Sequence, residues 1–332
     1  MKKSAVALAL VVMGATSAHA AEIYNKDGNK LDLYGKVKAA HGWSGGKNAD
    51  GTYARLGFRG EAQINQELTG YGQFEGQLDA AKAEGSQNGE STRLAFAGLD
   101  YGHNVSFDYG RNYGIAYDVG SYTDNLSEFG GDSYEDTDLF LTSRASGVAT
   151  LRTNNAFGLA DGLTVGAQYQ GADATNVNPA KQHGTGYGFS LGYEIPDTGV
   201  SAIAAYSTSA ITGHQKNAGW DGKNAEFWGA GAKYDANSVY LATMAGESHN
   251  LLKDADEAKH FEIMAAYVFD FGLRPNVGYV HARDNKNRDV VEYVALGSDY
   301  YFNKNLVADV GYQIDLADNG DNKVAAGLTY QF

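Results

Sequence analysis

The chain has 332 residues, with 26 Lys and Arg against 40 Asp and Glu, for a net charge of −14. That acidity excludes a nucleic-acid partner, which calls for a basic face. The absence of cysteine excludes disulfides, and 43 Gly, 23 Tyr and 14 Phe against 3 Pro exclude disorder and suit a large twisted sheet.

Residues 1–20 have the pattern of a secretory signal peptide. Lys2 and Lys3 form a positive start, residues 5–13 an apolar run too short to span a bilayer as a helix, and Ala18-His19-Ala20 a small-residue cleavage site. Removing them leaves one expected domain, residues 21–332, with 24 basic residues (26 less Lys2 and Lys3) against 40 acidic, a net 24 − 40 = −16. No apolar run of 18 residues follows, so no transmembrane helix is expected.

From residue 30 onward the dominant signal is a period of two. Leu31, Leu33, Val37 and Ala39 oppose Asp32, Tyr34, Lys36 and Lys38. Ala54, Leu56, Phe58, Ala62 and Ile64 oppose Tyr53, Arg55, Arg59, Glu61 and Gln63. Phe74 and Leu78 then oppose Tyr71, Gln73, Glu75, Gln77 and Asp79, and Arg93 opposes Leu94 and Phe96. Near residue 144, Phe140, Thr142, Arg144 and Ser146 oppose Leu141 and Ala145. At the end, Val324, Ala326, Leu328, Tyr330 and Phe332 oppose Gly327, Thr329 and Gln331. Such stripes cannot form one face of a helix, and they predict strands.

The breaks between these segments alternate in kind. Seven are tight: residues 65–67, 101–104, 158–162, 195–199, 235–237, 270–272 and 303–304. Eight are longer and polar: residues 44–51, 82–90, 113–138, 171–184, 209–224, 250–257, 284–288 and 317–321. Fifteen connections join sixteen strands. An even count with short turns at one end and long loops at the other predicts an all-β fold, a 16-stranded antiparallel transmembrane β-barrel. A ring of that width keeps an aqueous lumen, which gives the polar stripes a wet interior to face while the apolar stripes meet lipid.

Residues 113–138 stand apart. This 26-residue stretch carries seven acids (Asp118, Asp124, Glu128, Asp132, Glu135, Asp136 and Asp138), no Lys or Arg, and the bend-permitting Phe129-Gly130-Gly131. Alternation places Lys36, Arg55, Arg93 and Arg144 on the lumen side, so an acidic loop is available to face a basic wall. Unit charges ~10 Å apart interact by about 0.4 kcal/mol in bulk water, and several such pairs would set a transverse field that disfavours apolar solutes.

At these residues a resemblance becomes specific. The segments AEIYNKDGNKLDLYGK (21–36), TYARLGFRGE (52–61), TRLAFAGL (92–99), FDYGRNYG (107–114), EFGGD (128–132), FDFGLRP (269–275), YYFNKN (300–305) and the closing YQF (330–332) resemble the enterobacterial general porins along the whole chain. The resemblance implies a homotrimer in the cell outer membrane, among lipid and lipopolysaccharide, with the third loop folded into each pore. It implies constriction acids Asp124, Glu128 and Asp132 and an opposing basic cluster of Arg55, Arg93 and Arg144, with Lys36 nearby. It also implies a subunit latch through Glu84, with Arg111 as its partner, and a C-terminal signal for the barrel-assembly machinery at Phe332. There are departures. Ser127 stands where the family has Pro, and Lys38 adds a lumen cation.

A non-specific diffusion channel with a mild cation preference is therefore the leading expectation, followed by a sugar- or nutrient-selective channel on the same barrel. An outer-membrane enzyme ranks last. His41, His103, His183, His214, His249, His260 and His281 fall mostly at loops or strand ends, and no GxSxG or HExxH motif accompanies them. Residues 254–257 and 318–321 are acidic without an EF-hand's spacing. Gly184-Thr185-Gly186 leads into a strand, so no dinucleotide site is expected. No cofactor and no metal are expected.

Overall fold

The computed structural model describes residues 21–84, 89–253, 255–317 and 320–332. The expected signal peptide, together with Asp254, Asp318 and Asn319 of the two acidic loops, lies outside the described residues.

Among the described residues eighteen strands form one sheet; its first half comprises β1 Ala21–Lys26, β2 Asn29–Ser44, β3 Lys47–Asp50, β4 Tyr53–Gln63, β5 Leu68–Asp79, β6 Glu90–Tyr101, β7 Val105–Tyr113, β8 Arg144–Thr153 and β9 Leu163–Gln170. The second half comprises β10 Gly186–Ile195, β11 Val200–Ala210, β12 Asn224–Ala236, β13 Val239–His249, β14 Glu257–Tyr267, β15 Leu273–Asp284, β16 Asp289–Tyr301, β17 Leu306–Asp315 and β18 Lys323–Gln331. Sixteen of them, β2 and β4 to β18, pair antiparallel with their sequence neighbours, and β18 pairs back onto β2. The ring is closed, so its sixteen strands are paired on both sides.

The other two strands sit on β2. β1 pairs with its first residues (Ala21 opposite Leu33), while Phe332 exchanges backbone bonds of 3.0 Å with Gly35. The two ends of the described chain thus meet head to tail beside β2. β3 forms a hairpin with the end of β2, so residues 44–51, expected as a loop, extend the sheet instead. Residues 285–288, also expected as a long loop, make a tight turn.

The outer surface is a hydrophobic band. Leu56, Leu191, Leu241, Ile263, Val277, Leu296, Val310 and Leu328 are all exposed around its middle. Aromatic side chains flank it. At the tight-turn end, the Tyr267, Phe269 and Phe271 rings follow one another at 4.8 and 5.2 Å, and Tyr300 lies 4.9 Å from Phe302. At the loop end Trp43, Tyr169, Tyr187, Trp228 and Tyr312 are exposed. A middle apolar zone between two aromatic girdles matches the profile of a bilayer. No helix among the described residues is long and apolar enough to cross a membrane.

The inner surface departs from the expected all-polar lining. Phe227, Ala242, Met244, Met264, Val280, Tyr293 and Ala295 are buried on the lumen side of β12 to β16. What covers them is the connection between β7 and β8. It leaves the wall at a register shift between Gly110 and Asn112, enters the lumen and makes the one-turn helix α1, Tyr117–Gly120. Its Ala116, Val119, Tyr134, Leu139 and Phe140 pack on β11 to β13, and its Leu126 and Phe129 on β15 and β16. Burying one large apolar side chain contributes about 1.5–3 kcal/mol, so this cover holds the loop firmly to one side. Residues 140–143, expected to begin a strand, are the returning limb of this loop.

Candidate functional site: the channel constriction

The loop between β7 and β8 is stitched to the wall by polar contacts as well as apolar ones. Asp118 receives both guanidinium nitrogens of Arg152, at 2.7 and 2.8 Å. Glu262, buried on β14, accepts from Thr123 Oγ1 at 2.5 Å and from the Ser133 amide at 3.1 Å. The Tyr240 hydroxyl donates to the Tyr122 carbonyl (2.6 Å) and Arg274 to the Asn125 carbonyl (2.8 Å). Asn276 reaches the Ser127 hydroxyl at 2.5 Å, so serine at this position supplies a wall contact that proline would lack. Gly130 and Gly131 both have positive φ (119° and 66°), and a Cβ on Gly131 would lie 2.7 Å from the Asp124 carboxyl carbon. The bend therefore requires glycine there.

This arrangement distributes the loop's acids between buried positions and partners on the wall. Asp124 accepts from the Tyr117 hydroxyl at 2.8 Å, and burial raises its carboxyl above the usual range while the charges of Arg144 and Arg93 oppose the shift. Glu135 lies deeper. Burial, then the charges of Asp124 and Glu262, hold it well above an ordinary glutamate. Asp132 accepts from the Tyr293 hydroxyl at 2.6 Å, on the side of the barrel the loop packs against. Glu128, at the tip, pairs with Lys38 at 2.8 Å. Burial is the main cause pushing its carboxyl up to about 7, with Asp309 adding to the shift and Lys38 opposing it.

Basic side chains project from β2, β4, β6 and β8, and the charges of Arg93 and Arg144 act on Asp124. Arg55 donates to Gln77 Oε1 at 2.7 Å and lies 3.6 Å from Glu75. Arg93 donates to Glu75 at 2.6 Å, and Arg144 donates to Thr137 at 3.0 Å. The Lys36 ammonium sits 5.6 Å from the centre of the Tyr53 ring, which the Arg55 guanidinium approaches at 5.4 Å. Arg93 does not reach the lumen by simple alternation. Leu94 pairs with Glu75 and Phe96 with Gln73, so both of these apolar residues face inward, opposite to expectation. A register shift leaves Arg93 as the extra residue between Leu94 and Thr92, and this bulge swings its guanidinium back to Glu75.

Three wall groups were not singled out by sequence. Glu75 is the acid under the arginines, and its shared parity with Gln73 and Gln77 was the available signal. Arg152 and Glu262 anchor the loop, and nothing in the local pattern distinguishes them from other lumen-facing polar residues. Elsewhere, Glu84 is exposed in the connection between β5 and β6. Arg111, at the bulge of β7, forms an ion pair with Asp138 and donates to the Thr92 carbonyl at 2.7 Å.

Two histidine arrangements could suggest chemistry. His260 lies 2.8 Å from Ser248 Oγ, but it is buried and its other ring nitrogen is held by the Ser133 carbonyl at 2.8 Å. No solute reaches it, and its role is to hold the loop. On the outer face His281, Asp289 and Glu292 bring ligand atoms within 4.8 Å of one another. Arg283 already donates to both oxygens of Asp289 (2.7 and 3.1 Å), so a metal ion would have to displace a guanidinium.

The family described as Gram-negative porin matches residues 26–332. The chain belongs to the Gram-negative porins. It is 49% identical over 367 residues to the putative outer membrane porin protein NmpC of Escherichia coli K12, with all of both chains covered. It is 48% identical over 361 residues to the outer membrane porin protein OmpD of Citrobacter koseri, again end to end. A solved Salmonella typhi OmpF in complex with daunomycin superposes with a TM-score of 0.89 at 44% identity, covering 94% of this chain and all of that one. The OmpT barrel of Vibrio cholerae, at 15% identity and a TM-score of 0.69, shares the fold. As an outer-membrane porin, the protein forms a water-filled channel through which small hydrophilic solutes diffuse passively.

Proposed function

We propose that this porin is a general diffusion channel with a mild cation preference, set at an eyelet between Asp124, Glu128 and Asp132 on the loop and Arg55, Arg93, Arg144 and Lys36 on the wall. The observation that supports the reading is the docking of the acidic loop on the apolar inner face of β12 to β16, with the charges of Arg144 and Arg93 acting on Asp124. Opposed charges across a narrow aqueous gap orient dipolar solutes and disfavour apolar ones. The net charge of −16 on residues 21–332 favours entry of cations. No catalytic step belongs to this reading.

The partners follow from the outer surface. A homotrimer gives the apolar band of one copy a protein neighbour, with Glu84 latching near Arg111 of the adjacent copy. Lipopolysaccharide suits the belt of Lys259, Arg283, His249 and His281 with Glu247, Glu257, Asp289 and Glu292 at the loop end of β13 to β16. Its phosphates would meet the cations directly and the acids through divalent ions. The barrel-assembly machinery would read Phe332 at the closing seam.

Liposome swelling tests the channel reading. Rates for uncharged sugars should fall smoothly with solute size and rise linearly with concentration. Saturable flux for one sugar would favour the selective-channel alternative.

A further inference from the structure

We infer that Lys38 is a selectivity-determining residue of this channel, a tether that binds the tip of the in-folded loop to the β2–β18–β17 wall and neutralises the loop's acid Glu128. The inference rests on the eyelet reading and refines it.

Lys38 projects into the lumen from β2, paired through Thr329 of β18. Its ammonium lies 2.8 Å from Glu128 of the loop and 3.1 Å from Asp309 of β17. The three side chains are only 12%, 12% and 6% exposed, although they border an aqueous lumen. Among the described residues Lys38 is the cation paired with both carboxylates, which also lie within hydrogen-bonding reach of each other.

Two glycines make room for the triad. A Cβ on Gly327, the β18 residue between Lys38 and Asp309, would lie 2.7 Å from Lys38 Cε and 2.8 Å from Asp309 Oδ2. One on Gly311 would lie 2.8 Å from Cβ of Glu128. A larger residue at Gly311 would push the tip away from the wall, and one at Gly327 would crowd the ends of the Lys38 and Asp309 side chains. Sequence, register and packing therefore converge on one contact between the loop's end and the seam of the barrel.

The consequence is asymmetric. On the arginine side, Asp124 feels the charges of Arg144 and Arg93 and is held by the Tyr117 hydroxyl. At the tip, Glu128 is held by Lys38, and the gap between tip and wall is closed. The open passage is then confined to the Asp124 side, and Lys38 cancels one unit of the negative charge that the two acids would otherwise contribute.

The test uses the full-length protein, refolded and reconstituted in planar bilayers, with folding read from the mobility of unheated trimers on detergent gels. Lys38→Gln should raise the cation-to-anion permeability ratio by about twofold or more, as expected for removing one nearby unit charge, and should raise single-channel conductance as the tip is released. The swap of Lys38→Glu with Glu128→Lys keeps one cation between two acids and should return conductance towards the parent value. A folded Lys38→Gln channel with unchanged ratio and conductance would overturn the inference while leaving the porin reading intact. Absence of current steps in the parent protein would instead remove the reading on which it rests.

Discussion

Arg93 donates to Glu75 across 2.6 Å, so the shortest contact this arginine makes is to an acid of its own wall and not to the loop opposite. Arg55 shares the same carboxylate at 3.6 Å. In the proposed eyelet the field is therefore weaker than a count of arginines suggests. Replacing Glu75→Gln keeps a hydrogen-bond acceptor and frees the charge of both arginines. Permeability should move towards anions by about twofold, the effect of one unit charge ~10 Å from the ion path in water. Zero-current potentials in a salt gradient measure the shift, and an unchanged potential would mean that Glu75 carries no net charge in the channel.

Removing the arginines should act in the opposite direction. Neutral residues at Arg55, Arg93 and Arg144 together should raise cation selectivity severalfold, each site adding a factor of about two if the sites act independently. Conductance should change as well, because these side chains occupy the gap. Selectivity equal to the parent's would mean that the guanidinium groups do not meet the ion path.

The pH response follows from Glu128. Its carboxyl is pushed up to about 7, chiefly by burial and then by Asp309. An acid raised in this way is charged above that pH and takes up a proton as the pH falls through it, at a point where a free glutamate would still be ionised. Cation preference should therefore decline as the pH is lowered from 8 towards 6, which reversal potentials across that range would record. Glu128→Gln should flatten the response. A pH dependence that survives this change would place the titrating group elsewhere.

The loop's anchors should be felt in stability and in channel noise. Glu262 accepts two hydrogen bonds from the loop in a buried setting. Glu262→Ala leaves Thr123 Oγ1 and the Ser133 amide without their acceptor, a cost of about 1–3 kcal/mol for each buried group left unpaired. The midpoint of urea-induced unfolding in detergent should fall, and open-channel current fluctuations should grow. A quiet channel of parent stability would show that the apolar packing under Tyr134 and Phe140 suffices.

Much of this architecture was legible in the residues. The period of two at Leu56, Phe58 and Leu328 placed lipid-facing side chains outside, because a strand offers only two faces and only one meets lipid. The alternation of tight and long connections led to the closed ring. Two physical effects hid the rest. A bulge breaks parity, so Leu94 and Phe96 face inward while Arg93 still reaches Glu75. The lumen side also contains a second, dry interface. Phe227, Met244 and Tyr293 are apolar and face inward because the loop covers them, and local alternation carries no sign of a cover supplied from a hundred residues away. The acids of the loop could be listed from sequence, but the attachment of Glu128 to Lys38 required the fold.

Ion permeation through the purified protein in a planar lipid bilayer, under a tenfold potassium chloride gradient, tests the central claim most directly. The account predicts discrete current steps and a zero-current potential whose sign shows potassium passing more readily than chloride. Bilayers that stay silent with folded protein present, or steps whose potential shows chloride passing more readily, would contradict it.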